Sequence, residues 1–273
     1  MNKRLRRQAG AFGGRGRVVA TGGLAVLLVL ALAALAAAEK PTTVKAGNLV
    51  LTINGGVKPK ALSKKTLQPI TLNVQGKIAT ADGSHPPALK EIVVDTDKAG
   101  SIDARGVPVC KQGQLEATTT DVARKVCKAA IVGTGTTDIE ILFPEQNPIP
   151  IHTQLTAFNG PGGGVGKATI LVHAYLSSPV SAAVVTTVKV TPEHKGPYGT
   201  HSVASVPKIA GGSGSVKAFN LTFSKHLFPY KGKKHGYLLA KCDDGSFVAQ
   251  AEAVFTNGEK LGGKIVRACT PKG

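Results

Sequence analysis

The chain has no Trp, one Met and four Tyr, and aromatic residues make up 4% of its 273 positions. Sugar sites are usually built on flat aromatic surfaces, so this scarcity counts against carbohydrate enzymes, even at an acidic pair such as Asp243-Asp244, and against lectin-like stacking. Arginine is thin as well: beyond position 38 only Arg105, Arg124 and Arg267 remain among 28 basic residues, the other 25 being Lys. Base reading and bidentate phosphate clamping rely on the planar guanidinium fork, so specific nucleic-acid recognition is not expected. No G-x-S-x-G and no H-E-x-x-H occurs, and Gly211-Gly212-Ser213-Gly214-Ser215 has the wrong spacing for the first. An alternating strand and helix rhythm is missing too. What is plentiful is glycine, 33 residues, and proline, 16, placed singly or in short clusters between apolar runs as turn punctuation. With 42% hydrophobic residues and a mean hydropathy near zero, the composition is that of a folded chain.

Lys3, Arg4, Arg6, Arg7, Arg15 and Arg17 precede an apolar run from Leu24 to Leu35 that ends in Ala36-Ala37-Ala38. This is the pattern of an export signal with an A-x-A cleavage site before Glu39, and the surroundings of Arg6-Arg7 fit twin-arginine export poorly. Val18 to Ala38, at 21 residues, is also long enough to serve as an uncleaved membrane anchor. Either way the rest of the chain is expected outside the cytoplasm, secreted or anchored. Taking six basic residues from 34 leaves 28 against 16 acidic ones, a charge of +12 for 39–273. A diffuse Lys surface of that kind suits an anionic envelope polymer or lipid headgroup.

Four cysteines, Cys110, Cys127, Cys242 and Cys269, allow three connectivities. Proximity in sequence favours 110 with 127 and 242 with 269. Export favours disulfides over zinc, as does the lack of CxxC-like spacing or nearby His. Strand-sized runs separated by turn signals fill the mature chain: Asn48–Ile53, Ile70–Thr80, Leu89–Asp97, Ser101–Ala104, Thr137–Phe143, Ile151–Phe158, Lys167–Leu176, Ala182–Thr191, Gly199–Ile209, Ser215–Phe223, Gly236–Cys242, Phe247–Phe255 and Gly263–Cys269. Asp82-Gly83, Asn159-Gly160, Asp244-Gly245 and Asn257-Gly258 mark turns, and a short helix capped by Thr120 runs through Lys128. The expectation is an all-β, antiparallel β-sandwich of about a dozen strands with one short helix. Its predicted organisation is a signal peptide or anchor over 1–38, an N-terminal lead-in over 39–66 and a single sandwich domain over 67–273, the alternative being two sandwiches divided near Pro144–Pro150.

Gly106-Val107-Pro108-Val109-Cys110, Thr120-Asp121-Val122-Ala123 and Cys127-Lys128-Ala129-Ala130-Ile131-Val132-Gly133-Thr134-Gly135 resemble a pattern of exported actinobacterial proteins with no assigned function. Phe158-Asn159-Gly160, Pro207 to Gly212 and Cys242-Asp243-Asp244-Gly245 are similar to the same group, so the likeness spans Leu67 to Gly273. The resemblance implies a β-rich secreted protein and carries no catalytic residues.

Three further patterns imitate sites. Gly160 to Ala168 has the flavour of a phosphate loop, but Pro161 stands where its first Gly belongs and Ala168 where a Ser or Thr must hold magnesium, so a hairpin connection is expected. Asp95, Asp97 and Asp103 begin like a calcium loop, yet Ala99 and Gly106 occupy two ligand positions. His152 and His173 would face each other if Asn159 paired with Gly166. No metal centre, cofactor or catalytic residue is therefore expected. The densest basic segment, Lys225 to His235, supplies the candidate binding residues Lys225, Lys231, Lys233 and Lys234, with Tyr230 among them. The function expected is non-catalytic binding or support of an anionic envelope component, with oligomeric state open. The alternative is a secreted hydrolase whose site is assembled from separated strands.

Overall fold

The computed structural model describes residues 40–273, and the expected signal or anchor segment, 1–38, lies outside them. The chain forms, in order, β1 (Thr42–Ala46), β2 (Leu49–Lys58), the short β3 (Ala61–Ser63) and β4 (Gln68–Pro69), β5 (Thr71–Thr80), β6 (Leu89–Asp97) and β7 (Gly100–Ile102). After the helix α1 (Thr120–Val126) come β8 (Ile131–Ile141), β9 (Ile149–Asn159), β10 (Ala168–Leu176), β11 (Ala182–Pro192), β12 (Tyr198–Ser205) and β13 (Gly214–Phe223). The hairpin of β14 (Leu227–Tyr230) and β15 (Lys233–Gly236) follows, then β16 (Leu238–Ala240), β17 (Ser246–Phe255), β18 (Lys260–Ala268) and β19 (Thr270–Lys272). Among the described residues no helix is long and apolar enough to cross a membrane.

The fold is all-β and antiparallel, with twelve main strands in one sheet ordered β1-β2-β5-β13-β8-β9-β10-β11-β12-β6-β17-β18. That sheet curls until its ends nearly meet, so the facing layers are parts of a single sheet. Alternation drives the curl. Leu49, Leu51 and Ile53 of β2 and Ile78 of β5 point inward and pack against Leu89, Ala253, Phe255 and Leu261 from β6, β17 and β18. A second inner cluster joins Leu155, Ala157, Ile170 and Ala174 to Leu221 and Phe223. Arg267 staples the two ends of the sheet. Its guanidinium is buried, donating from Nε to the Gly55 carbonyl at 2.8 Å and from Nη2 to Asn54 Oδ1 at 2.7 Å.

Both disulfides expected from sequence proximity are present, Cys110–Cys127 and Cys242–Cys269, with Cα separations of 5.5 and 6.1 Å. Such bonds belong to oxidising, extracytoplasmic surroundings. The first seats α1 on the outer face of β9 and β10, where Leu115 and Ala123 cover Phe158 and Leu171. The α1 N-cap is Thr119, whose hydroxyl accepts from the Val122 N–H, one residue before the position the sequence indicates.

Several details differ from the sequence reading. Residues 39–66 contain β1, β2 and β3, and the apolar side of β2 belongs to the core, so Lys40 to Gly273 packs as one unit. Asn159-Gly160 is not a tight turn: Asn159 ends β9, and its buried side chain donates to the carbonyls of Val107 and Pro108. The ladder pairs Asn159 with Ile170 instead of Gly166, and the Gly160 N–H continues that register to the Thr169 carbonyl. His173 therefore faces Thr156, while His152 stands opposite Asp138, and the imagined His pair does not form.

Candidate functional site

The basic segment folds as a hairpin of its own. Lys231 and Gly232 both have positive φ, 48° and 76°, the conformation of a two-residue turn that matches the twist of the flanking strands. Pairing sets Tyr230 opposite Lys233, Pro229 opposite Lys234 and Phe228 opposite His235. Alternation then turns Phe228, Tyr230, Lys233 and His235 to one side and Leu227, Pro229 and Lys234 to the other. Phe228 is buried in the inner cluster and anchors the hairpin to the body. Lys225, Lys231, Lys233 and Lys234 are all exposed, and none pairs with a carboxylate among the described residues. The structure thus gathers Tyr230, Lys231, Lys233 and Lys234 on one hairpin, with Lys233 and Lys234 on opposite faces, while Lys225 lies just before it, its N–H bonded to Thr71 Oγ1.

Arg105 meets the hairpin through the fold, a contact that spacing alone does not reveal. Its guanidinium grips the buried Asp103 through two hydrogen bonds, Nε to Oδ1 at 2.9 Å and Nη2 to Oδ2 at 2.7 Å, and lies 5.1 Å from the centre of the Tyr230 ring. Lys231 Nζ is 5.6 Å from the same ring, so two cations flank one aromatic side chain. Burial works to raise the Asp103 pKa, but the hydrogen bonds from Arg105 and the charge of His235 outweigh it and hold the carboxyl below the usual range. Gly106 lets the loop come this close, since a Cβ there would stand 2.6 Å from the Pro229 carbonyl oxygen at φ 70°. The one signal in the sequence was the rarity of Arg beside the Gly106-Val107-Pro108 turn.

The imitations of other sites resolve into structural roles. In the Gly-rich connection the N–H groups of Gly160, Gly164 and Gly166 bond the carbonyls of Thr169, Lys167 and Ile102, leaving them no role in a phosphate cradle. The calcium-like acids separate: Asp97 accepts from the N–H groups of Ala99 and Val248, Asp103 holds Arg105, and Asp95 contacts His201. Asp243 pairs with Lys241 at 2.7 Å. A shallow opening of about 290 Å³ on the outer face lies between Asn54, Gln75 and Asn220, with Lys77, Asp138 and Phe219 also in its lining.

Another constellation is absent from any sequence motif. Ser215 and Glu140 are cross-strand partners on β13 and β8, and His85, from the β5–β6 connection, bridges them. His85 Nδ1 lies 2.8 Å from Glu140 Oε1 and His85 Nε2 lies 3.0 Å from Ser215 Oγ. An opening of about 370 Å³ lined by Pro86, Pro87, Gly212 and Ser213 adjoins them. The order nucleophile, base and orienting carboxylate is that of acyl-transfer enzymes. Two features oppose that use. Ser215 is 1% exposed, with its hydroxyl 2.7 Å from the Pro86 carbonyl. The N–H groups of Gly212, Ser213 and Gly214 bond the carbonyls of Ile209 and Ala210, so they are not free to stabilise an oxyanion. The geometry is that of a latch tying the 81–88 connection to the sheet.

Comparison of the chain with family models, with curated proteins and with solved structures finds no match.

Proposed function

We propose that this is an exported protein of the cell envelope that binds an anionic envelope component through the hairpin of β14 and β15. The observation that supports the reading is a set of four exposed lysines without carboxylate partners, three on and one just before a hairpin braced by Phe228 and Arg105. A Lys near an anionic surface contributes about 1 kcal/mol at low salt. Because Lys233 and Lys234 point to opposite faces, a flat surface meets about three of the four at once, which corresponds to roughly 3 kcal/mol, or about 150-fold in affinity.

The test replaces Lys225, Lys231, Lys233 and Lys234 together by Gln. Binding to anionic vesicles and to isolated anionic wall polymer is measured in parallel, and the arm that binds identifies the source. Affinity should fall by about two orders of magnitude, and parent binding should fade as the Debye length shrinks from about 10 Å at 0.1 M salt toward 3 Å at 1 M. Unchanged binding by the quadruple variant at low salt, or binding indifferent to salt, would overturn the reading. A second reading, serine hydrolysis, rests on the Ser215–His85–Glu140 chain. It requires that a fluorophosphonate label Ser215 and that Ser215→Ala abolish the labelling.

A further inference from the structure

The sheet brings together a mixed set of nitrogen and oxygen donors away from the hairpin. In register across the outer face, Thr191 of β11, His201 of β12, Asp95 of β6, Gln250 of β17 and Lys264 of β18 form one transverse row. Glu193, just past the end of β11 and two residues beyond Thr191, stands beside this row, its N–H bonded to the Gly199 carbonyl. One ligand atom from each of Asp95, Glu193 and His201 lies within 4.8 Å of the others. We propose that these three residues form a binding site for a single divalent cation of the zinc type.

Three arguments support it. The first is donor chemistry: one imidazole and two carboxylates match the ligand set of an open zinc site, three protein ligands with a fourth position for water. The second is geometry. Ligands about 2.1 Å from a tetrahedral ion stand about 3.4 Å apart, so the Asp95–His201 contact must widen from 2.6 Å while the set as a whole already lies within 4.8 Å. Asp95 and His201 are held by opposed backbone positions, and their side chains, 26% and 36% exposed, leave the remaining coordination position open to solvent. Asp95 Oδ1 and His201 Nδ1 already meet in a hydrogen bond of 2.6 Å, and a bound ion would take the place of the shared proton and open that contact.

The third argument is a charge deficit. In a chain with 25 lysines beyond position 38, the two carboxylates converge on an imidazole, and among the described residues neither has a Lys or Arg nitrogen within 4.0 Å. Glu193 Oε1 accepts from the His194 N–H at 2.8 Å, which fixes the carboxylate beside His201. The other cross-strand His–Asp pair, His152 with Asp138, offers only two donors and serves as the internal control.

Isothermal titration of the purified 39–273 protein with zinc chloride at pH 7.5 tests the assignment, with calcium chloride in a second arm. The expected result is one equivalent of saturable zinc binding, weakened at least tenfold by Glu193→Gln and by His201→Asn and unchanged by His152→Asn. Glu193 lies outside the ladder, so Glu193→Gln keeps the test valid should His201→Asn fold poorly. Absence of saturable zinc binding overturns the proposal. So does a Glu193→Gln variant that binds like the parent, or a preference for calcium over zinc.

Discussion

His173 makes acid stability a sharp test of the packing under the Cys110–Cys127 loop. Its ring is fully buried on the outer face of β10, Nε2 lies 3.0 Å from the Thr118 carbonyl, and Nδ1 is buried without a hydrogen-bond partner. Burial lowers its pKa, the Thr118 carbonyl opposes this and the charge of Arg124 assists it. Neutral His173 donates from Nε2 to Thr118. Protonation would place a charge and an unpaired Nδ1–H in the interior. The unfolded chain takes up this proton below about pH 6.5, and the native protein does so only at lower pH. Stability from this site is therefore complete above pH 6.5 and declines as pH falls below it, by at most about 1.4 kcal/mol per unit, until the folded-state value is reached. At pH 5.5 the ceiling is a loss of about 1.4 kcal/mol, and at pH 5.0 about 2 kcal/mol. Urea unfolding with disulfides intact, at pH 7.5 and 5.5, measures it against His173→Gln, which keeps a donor for Thr118 but has no proton to gain. The variant should lose less stability than the parent between the two pH values. Equal losses in both proteins would refute the reasoning.

Removing Cys242–Cys269 by paired Ser substitution opens a loop of 27 residues and should lower stability by about 3.5 kcal/mol; removing Cys110–Cys127, with 17, should lower it by about 3 kcal/mol, both read from urea midpoints. The second pair should also expose His173, so its variant should lose the acid-dependent component described above. Ser215→Ala deletes the hydroxyl shared by His85 and the Pro86 carbonyl and should cost about 1 kcal/mol in thermal or urea unfolding. A variant as stable as the parent would remove the latch interpretation.

Where one side of a strand is buried, the alternation of side chains was enough to find it: Leu89–Asp97 is read with its observed limits, and Leu49, Leu51 and Ile53 mark the inner side of β2. Gly83, Gly245 and Gly258 sit at positive φ where Asp-Gly and Asn-Gly pairs signalled turns. The β14–β15 hairpin was hidden because one apolar residue, Phe228, anchors it amid lysines, with Pro229 inside the strand. β3 and β19 pair over three residues, too few for a period to show. Of the candidate binding residues, all four lysines and Tyr230 were visible as a charge run, whereas Arg105 joins them only through the fold. His85, Glu140 and Ser215, like Asp95, Glu193 and His201, come from separate strands and connections, so no local spacing announces them.

The near-closure of the sheet has a kinetic consequence. β1 and β2 lie against β18 through Val44, Ile53 and Arg267, although over 200 residues separate the Arg267 guanidinium from the Gly55 carbonyl it binds. Contacts of such long range form only after a large loss of chain entropy, which slows folding. A chain leaving a membrane from its N-terminal end would hold β1 and β2 without their final neighbours until β18 had followed. Throughout that interval the apolar side of β2 and the unpaired edge of β1 would be open to other chains, and final closure would protect both.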